Sequence, residues 1–484
     1  MGSFAEPSAS PRGRVHVAEP LPHLGPNVRI TPQARYYAVG ELCRRAGIPR
    51  DFFRTWKVSV TPQSTVFEIS NGTQRFITFP HAAAKTLHTL TAGRLSSVNV
   101  PLAESIAGIA HCAVPFVGSE LADNRPLFYL TDQNHLECAV DLPLSILLTL
   151  SRWEETLDSP RDAHGRFQAK NSIASAGGFL ERPIIDEYGL AFERAMEFLF
   201  PSWKKTPRKL RVKVSHDADH IGIPFRLRTA VRHSVRFGAI HNSFRDVFSR
   251  ISDVEPTELD SLRSIARATK AHGLNSSVYW KAAPPGPQDS GYDPRHRKVR
   301  QVAGWLDEIG AESGIHPGYN TFHSPEKLRR EVAILRETLG DRPMGGRQHY
   351  LRWSPHSWID WENCGLAYDS SVGYAEQIGF KAGTCVPYRP WLFPLNRQAD
   401  LIEIPLLVMD RTLLEYMTLT KRQATQSIHT LVERCGMVGG VFTILWHNDA
   451  FLNPVYKDMY LAVLATLSGT DNYDWRAEPT PLYI

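Results

Sequence analysis

Ser215-His216-Asp217-Ala218-Asp219 places two carboxylates and an imidazole at the end of a short run in which Leu210, Val212 and Val214 alternate with Arg211 and Lys213. The alternation predicts a half-buried strand, and α/β enzymes gather their chemistry where such strands give way to loops. Side chains two apart on an extended chain project to the same side, so Asp217 and Asp219 would face one space. One carboxylate there can ligate a metal while the other serves as a general base. A pair of acids that only caps the next helix is the structural alternative, so the choice depends on other segments.

Three further segments end in reactive residues. His316 closes a short apolar step within Glu312–His323, Arg347 lies in Gly345–Pro355, and His447 follows Phe442-Thr443-Ile444-Leu445-Trp446. In a (β/α) barrel the strand C-termini open on one face, so residues of this kind would converge. A divalent ion held by Asp219 and His316 would need one or two more ligands and an open position for water. The residue four after His316 is Asn320 rather than a histidine. His323 is two helical turns on, about 10 Å along a helix axis, and could share an ion with His316 only from a loop. Asn320, His323 or a water are therefore the open choices for completing the sphere.

These residues need strands and helices to position them. Residues 1 to 28 are rich in Pro, Ser and Gly and read as a disordered lead-in. From 29 to 205 strand-like segments (Thr65–Ile69, Arg75–Thr78) mix with helical ones (Ala34–Ala46, Leu142–Thr156), which suggests a smaller α+β domain of unassigned role. Its Ser151-Arg152-Trp153-Glu154-Glu155 patch reads as a solvated helix end, with an interdomain contact as the alternative. The basic segment Trp203–Lys209 looks like a linker. Beyond it, strands expected at Leu210–Ser215, Ser276–Trp280, Gly314–His316, Gly345–Gln348, Ala367–Asp369, Leu401–Leu407 and Gly440–Trp446 alternate with helices near Pro256–Ala271, Val299–Ile309 and Pro325–Leu339. That alternation argues for an α/β domain over 206 to 484, a distorted or incomplete (β/α) barrel.

The bulk numbers bound the reading. At 484 residues two domains are the natural expectation. Hydrophobic residues make up 42% and charged ones 22%, the profile of a soluble globular protein. A net charge of +5 without a basic block argues against nucleic acid as a partner. The six cysteines form no C-x-x-C pair, which fits a reduced, cytoplasmic protein. Met1–Val15 has no apolar core and no apolar run approaches a bilayer's thickness, so neither a secretory leader nor an integral membrane segment is expected.

Taken together, the motifs resemble the polysaccharide deacetylases, metal-dependent carbohydrate esterases and amidases with a distorted (β/α) barrel. Ser215–Asp219 looks like that family's first motif, Ile315-His316-Pro317-Gly318-Tyr319 its second, Arg347 with Pro355 its third, and Leu445-Trp446-His447 its L-x-H. Leu366–Tyr374 and Gly379–Cys385 are similar to segments of an uncharacterised branch that carries an extra N-terminal domain. The resemblance, over about residues 208 to 450, implies Asp217 as general base and Asp219 and His316 as metal ligands. It implies Arg347 as the group that orients Asp217, and His447 as general acid. It further implies zinc, with cobalt or nickel as substitutes, and removal of an acetyl group from an N-acetylated sugar or polysaccharide. Trp353, Trp358, Trp361, Trp391 and Trp446 could offer stacking faces to a saccharide or pack the core. Asn320 at the position of the family's second histidine raises the alternative of an impaired barrel that binds glycan or scaffolds surface-polysaccharide assembly.

Overall fold

A computed structural model of the chain describes residues 16–17, 30–117, 124–201, 207–222 and 256–478. Apart from His16–Val17, the expected lead-in lies outside the described residues, as do residues 203–206 of the expected linker. The chain divides into two compact units, one of Met1–Leu147, Tyr188–Thr206 and Leu482–Ile484, the other of Leu148–Glu187 and Pro207–Pro481. Among the described residues no helix is long and apolar enough to cross a membrane.

In the first unit the sheet order is His16–Val17, Lys57–Val60, Ser64–Asn71, Thr73–Pro80, His135–Cys138, Phe128–Asp132. Gly72 (φ 77°) turns the tight hairpin between the third and fourth of these strands, a conformation that L side chains resist. The helix Pro32–Arg45 starts as its sequence dictates: Thr31 accepts from the Ala34 amide and proline opens the first turn. Phe53, Phe67, Phe79 and Phe192 are buried in this unit.

The second unit is mixed α/β. Its parallel row runs Glu312–Ile315, Ser276–Trp280, Arg211–Ala218, Val441–Leu445, Val408–Met409. On the outer side of Ile315, Gly346 bridges in parallel to both Ile315 and Asp369, and Tyr368–Asp369 pairs in parallel with Ile402–Glu403. The strand expected over Leu401–Leu407 is thus only Ile402–Glu403, and a second short strand, Val408–Met409, begins just beyond its expected end. Ile402–Glu403 pairs with Tyr368–Asp369, while Val408–Met409 pairs with Ile444–Leu445. Helices Thr257–Ala271, Arg297–Glu308 and Pro325–Leu339 connect the strands, the last with the expected bounds.

Three expectations are corrected. The Arg211–Ala218 strand is buried on both sides, with Lys213 only 3% exposed, because Glu312 neutralises that lysine in the interior. The helix from Leu142 stops at Leu150, and Arg152 (φ 55°) turns the chain into a short 3-10 helix, Trp153–Thr156. The charged patch there is not a solvated end. Arg152 donates to Glu154 and Glu155 at 2.8 and 2.9 Å, Lys381 pairs with Glu155 at 3.3 Å, and all four are buried. Burial of such charges is tolerated only because each is paired.

Candidate metal centre

Asp217 is the seventh residue of its strand and Asp219 follows the strand end, on the same side by the two-residue period. His216, on the other side, is held at both ring nitrogens, by the Trp446 carbonyl at 2.8 Å and Ser276 Oγ at 3.0 Å. Burial pushes it down to about 4, so it is a neutral packing residue.

Gly345 and Gly346 let the Arg347 segment lie against its neighbours. A Cβ on Gly346 would fall 1.7 Å from the Ile315 carbonyl oxygen, so any side chain there would push Arg347 outward. Arg347 is fully buried and every branch of its guanidinium is engaged. Nη1 donates to Asp217 Oδ1 (2.9 Å) and Ser215 Oγ (3.0 Å), Nε to the Ser370 carbonyl (2.9 Å), and Nη2 to Ser370 Oγ (3.0 Å). That fork fixes the orientation of the Asp217 carboxylate.

His316 Nδ1 lies 2.6 Å from the Arg347 carbonyl oxygen, which can only accept, so Nδ1 carries the hydrogen. In the neutral ring Nε2 is then a bare lone pair, and it lies 3.1 Å from Asp219 Oδ1. His349 Nε2 approaches the same oxygen at 3.2 Å. Neither Asp219 Oδ1 nor His316 Nε2 completes a hydrogen bond although both are buried. Buried acceptors facing each other without a proton between them are costly. Asp219, His316 and His349 each offer one atom within 4.8 Å of the others. A cation among them would turn the mismatch into coordination, and two imidazoles with one carboxylate suit zinc or a similar borderline ion. The donor set therefore fits a divalent metal.

The Asp219 carboxyl sits well below the usual carboxylate range: burial opposes this, but His349 and Lys281 outweigh it. His447 approaches Asp219 Oδ2 with Nε2 at 3.7 Å, while its Nδ1 is 2.7 Å from Asp410 Oδ1 and its amide donates to Asp410 Oδ2 at 2.9 Å. Burial works against a charge on this ring, yet the Asp410 carboxylate raises it to about 9. A histidine that holds its proton at neutral pH with Nε2 toward the cavity is arranged to donate.

These groups open on a cavity of about 740 Å³ whose lining includes Asp217, Asp219, His316, His349 and His447. Arg347 stands behind Asp217 and Asp410 behind His447. Of the alternatives for the third ligand, Asn320 and His323 are both exposed, and neither lines the cavity. His349 stands there instead. It begins a single turn in which Tyr350 (φ 61°) and Leu351 (φ 53°) are both left-handed, a strained pair of the kind that clusters at functional sites.

Three comparisons with known proteins give limited likenesses. Residues 31–201 match a family of unknown function, DUF7033. No curated protein matches the chain. Among solved structures, one described as a polysaccharide deacetylase from Mycobacterium smegmatis is 13% identical, over 56% of this chain and 87% of that one, with a TM-score of 0.39. The Puue allantoinase is also 13% identical, over 66% and 95%, at a TM-score of 0.39. One described as a polysaccharide deacetylase from Pseudomonas aeruginosa PAO1 is 14% identical, over 56% and 92%, at 0.38. All three scores lie below 0.5, so any assignment of chemistry rests on this chain's own side chains.

Several participants escaped the sequence reading. Lys281 and Asp410 lie just beyond strand ends, His349 opens the single turn after the Gly346 bridge, and Asp289 lies in the loop between Trp280 and Arg297; a search for every polar residue after each expected strand would have found Lys281 and His349. His164 and Arg166 line the cavity from a segment in which the sequence shows no catalytic pattern. The five tryptophans are all buried and none lines the cavity. The aromatic faces there belong to Tyr350 and Tyr416, which are 36% and 46% exposed.

Proposed function

We propose that this chain is a metal-dependent hydrolase of the polysaccharide deacetylase type, with a distorted (β/α) barrel, that removes an acetyl group from an N-acetylated sugar or polysaccharide. The observation that carries the reading is the pair of orphaned atoms, Asp219 Oδ1 and His316 Nε2, facing His349 Nε2 beside a carboxylate that Arg347 holds in place. Asp219, His316 and His349 would hold the ion, zinc in the first instance, with cobalt or nickel as substitutes. Bound there, it would polarise the amide carbonyl and make a water acidic enough to react near neutral pH.

The remaining work falls to the protein. Asp217, fixed by Arg347, takes the proton of the attacking water. His447, kept protonated by Asp410, hands a proton from Nε2 to the departing amine, giving acetate and a free amino sugar. Tyr350 and Tyr416 supply apolar faces for a sugar ring within the cavity. The alternative of an impaired glycan-binding barrel drew on the missing histidine at 320; a third donor at His349 supports the catalytic reading instead.

The test is acetate release from an N-acetylglucosamine oligomer by the full chain reconstituted with zinc, alongside its metal content by mass spectrometry. One ion per chain and acetate release that Asp217→Asn lowers at least about 100-fold are expected. A chain that takes up no zinc, cobalt or nickel, or an Asp217→Asn variant with unchanged release, overturns the reading. Ammonia in place of acetate would move the substrate to another class of amide.

A further inference from the structure

Residues 161 to 167 fall in the stretch that matches DUF7033, yet they belong to the second unit, and His164 and Arg166 reach the cavity of the candidate metal centre. Arg161 and Phe167 bridge antiparallel, and Asp162 fixes the turn between them. Its Oδ1 accepts the His164 and Arg166 amides, each at 2.9 Å, and its Oδ2 accepts Arg166 Nε at 2.6 Å. An aspartate that accepts amides two and four residues on locks the turn it belongs to, so His164 is held at the cavity wall. Arg166 also donates from Nη1 to the carbonyl of Tyr350, in the strained turn, at 3.1 Å and from Nη2 to the Tyr416 hydroxyl at 3.4 Å.

The His164 ring lies 4.7 Å, centre to centre, from that of Tyr350, which lies the same distance from that of His349. His164 is thus two ring steps from a ligand of the proposed ion, too far to touch the reacting acetamide and near enough to meet the next sugar unit. Its Nδ1 meets the Tyr319 hydroxyl at 3.1 Å, and Nε2 has no hydrogen-bond partner among the described residues. Burial, with Arg166 and Arg352 nearby, holds the ring below its ordinary pKa, so it is neutral at pH 7. A neutral ring with Nδ1 engaged keeps one hydrogen-bonding function at Nε2, a donor if Tyr319 gives its hydrogen and an acceptor if Tyr319 takes one. A sugar hydroxyl satisfies both cases. An acidic group finds no such opening, because both guanidiniums in the lining are committed, Arg166 to Asp162 and Arg411 to Glu415 at 3.0 Å and Asp449 at 2.9 Å.

We infer that this turn carries a second sugar subsite: a neutral unit beside the one that loses its acetyl group lies on Tyr350 and shares a hydrogen bond between one of its hydroxyls and His164 Nε2. The inference rests on the hydrolase reading above and narrows its substrate to a chain of two or more units in preference to a free N-acetylated monosaccharide. The cavity of about 740 Å³ lies within the roughly 300–1,000 Å³ that encloses a drug-sized ligand, larger than a single sugar. Arg166 is a positioning residue, acting through Tyr350 and Tyr416.

Calorimetric titration of the metal-free full chain with N-acetylglucosamine, its β-1,4 tetramer and N-acetylglucosamine 6-phosphate tests this without turnover. The tetramer should bind about 10-fold or more tightly than the monosaccharide, and His164→Ala should lose about 3- to 10-fold of that preference. Equal affinity for monosaccharide and tetramer, no binding of either, or a silent His164→Ala overturns the inference. So does tighter binding of the 6-phosphate than of the tetramer, which would mark an anion subsite instead. Should His164→Ala fail to fold, His164→Phe keeps a ring against Tyr350 and removes both nitrogens; it should show the same loss, and an unchanged preference overturns the idea. In the zinc-loaded chain Arg166→Met should raise KM for the tetramer more than it lowers kcat, and the reverse split overturns its positioning role. A zinc-loaded wild type that releases acetate from neither sugar brings down the hydrolase reading, whereas release from both with equal affinity sinks this inference alone.

Discussion

The two ends of the same parallel strands carry opposite solutions to buried charge. Near the start, Glu312 accepts from four donors: Lys213 and Ser277 on Oε2, Tyr368 and Trp475 on Oε1, each at 2.8 Å. At the far end, Asp219 Oδ1 and His316 Nε2 have no hydrogen-bond partner. Both carboxyls are held below their ordinary range against the effect of burial, so charge by itself does not separate them. Completeness does. The Glu312 end is finished by the protein's own groups, while the Asp219 end leaves two buried atoms without a hydrogen-bond partner, the gap that the proposed metal would fill. Strand C-termini are where α/β folds place such openings.

Breaking the open end should cost function and leave the fold. Asp219→Asn is expected to abolish stoichiometric zinc uptake and to lower acetate release on the order of 10³-fold or more, with an unchanged far-UV circular dichroism spectrum. A variant that keeps its metal would erase the distinction between the two ends. Asp217→Asn, next in size, should lose about 10² to 10⁴ in kcat while keeping the ion, because it removes a base and no ligand. Loss of metal in that variant would mean that Asp217 is itself a ligand.

His349→Ala sharpens the comparison by asking which third group completes the opening. Zinc affinity should fall roughly 100-fold or more, against no change in His323→Ala, as read by competition with a chromophoric chelator. The reverse pattern would return the ligand to the segment after His316.

Breaking the closed end should do the opposite. Glu312 titrates at about 2 in the folded chain against an ordinary 4.5; burial opposes this shift, but Lys213 and the hydrogen bonds outweigh it. A depressed carboxylate contributes stability above its unfolded value and loses it as pH falls from about 4.5 through about 2. Glu312→Gln should therefore cost about 3 kcal/mol near pH 7 by denaturant unfolding and flatten the acid limb between those values, with zinc affinity intact. An unchanged acid limb would show that the four-donor cluster does not stabilise the fold.

Much of this was legible in the chain alone, for local reasons. Proline at 325 and glycine at 340 bracket a helix that spans Pro325–Leu339 as expected. Ser276–Trp280 and Val441–Leu445 read as strands because short apolar runs bounded by turns have few other uses. Lys213 misled because alternation with valines reads as an exposed face, and only a partner a hundred residues on makes burial tolerable. The Arg152 patch misled for a related reason: its partners Glu154 and Glu155 are local, and it is Lys381, from a distant segment, that joins them in the interior.

The sequence by itself determined that Asp217 and Asp219 share a side, that His316, Arg347 and His447 stand at or just beyond strand ends, and that these residues suit hydrolytic metal chemistry. Those are consequences of a two-residue period and of strand length, both local. Tertiary structure alone decided that His349, rather than Asn320 or His323, faces Asp219. That choice depends on glycines letting one segment lie against Ile315 and on a left-handed turn after His349. Contacts made by close approach of distant segments leave no periodic trace in the chain that makes them.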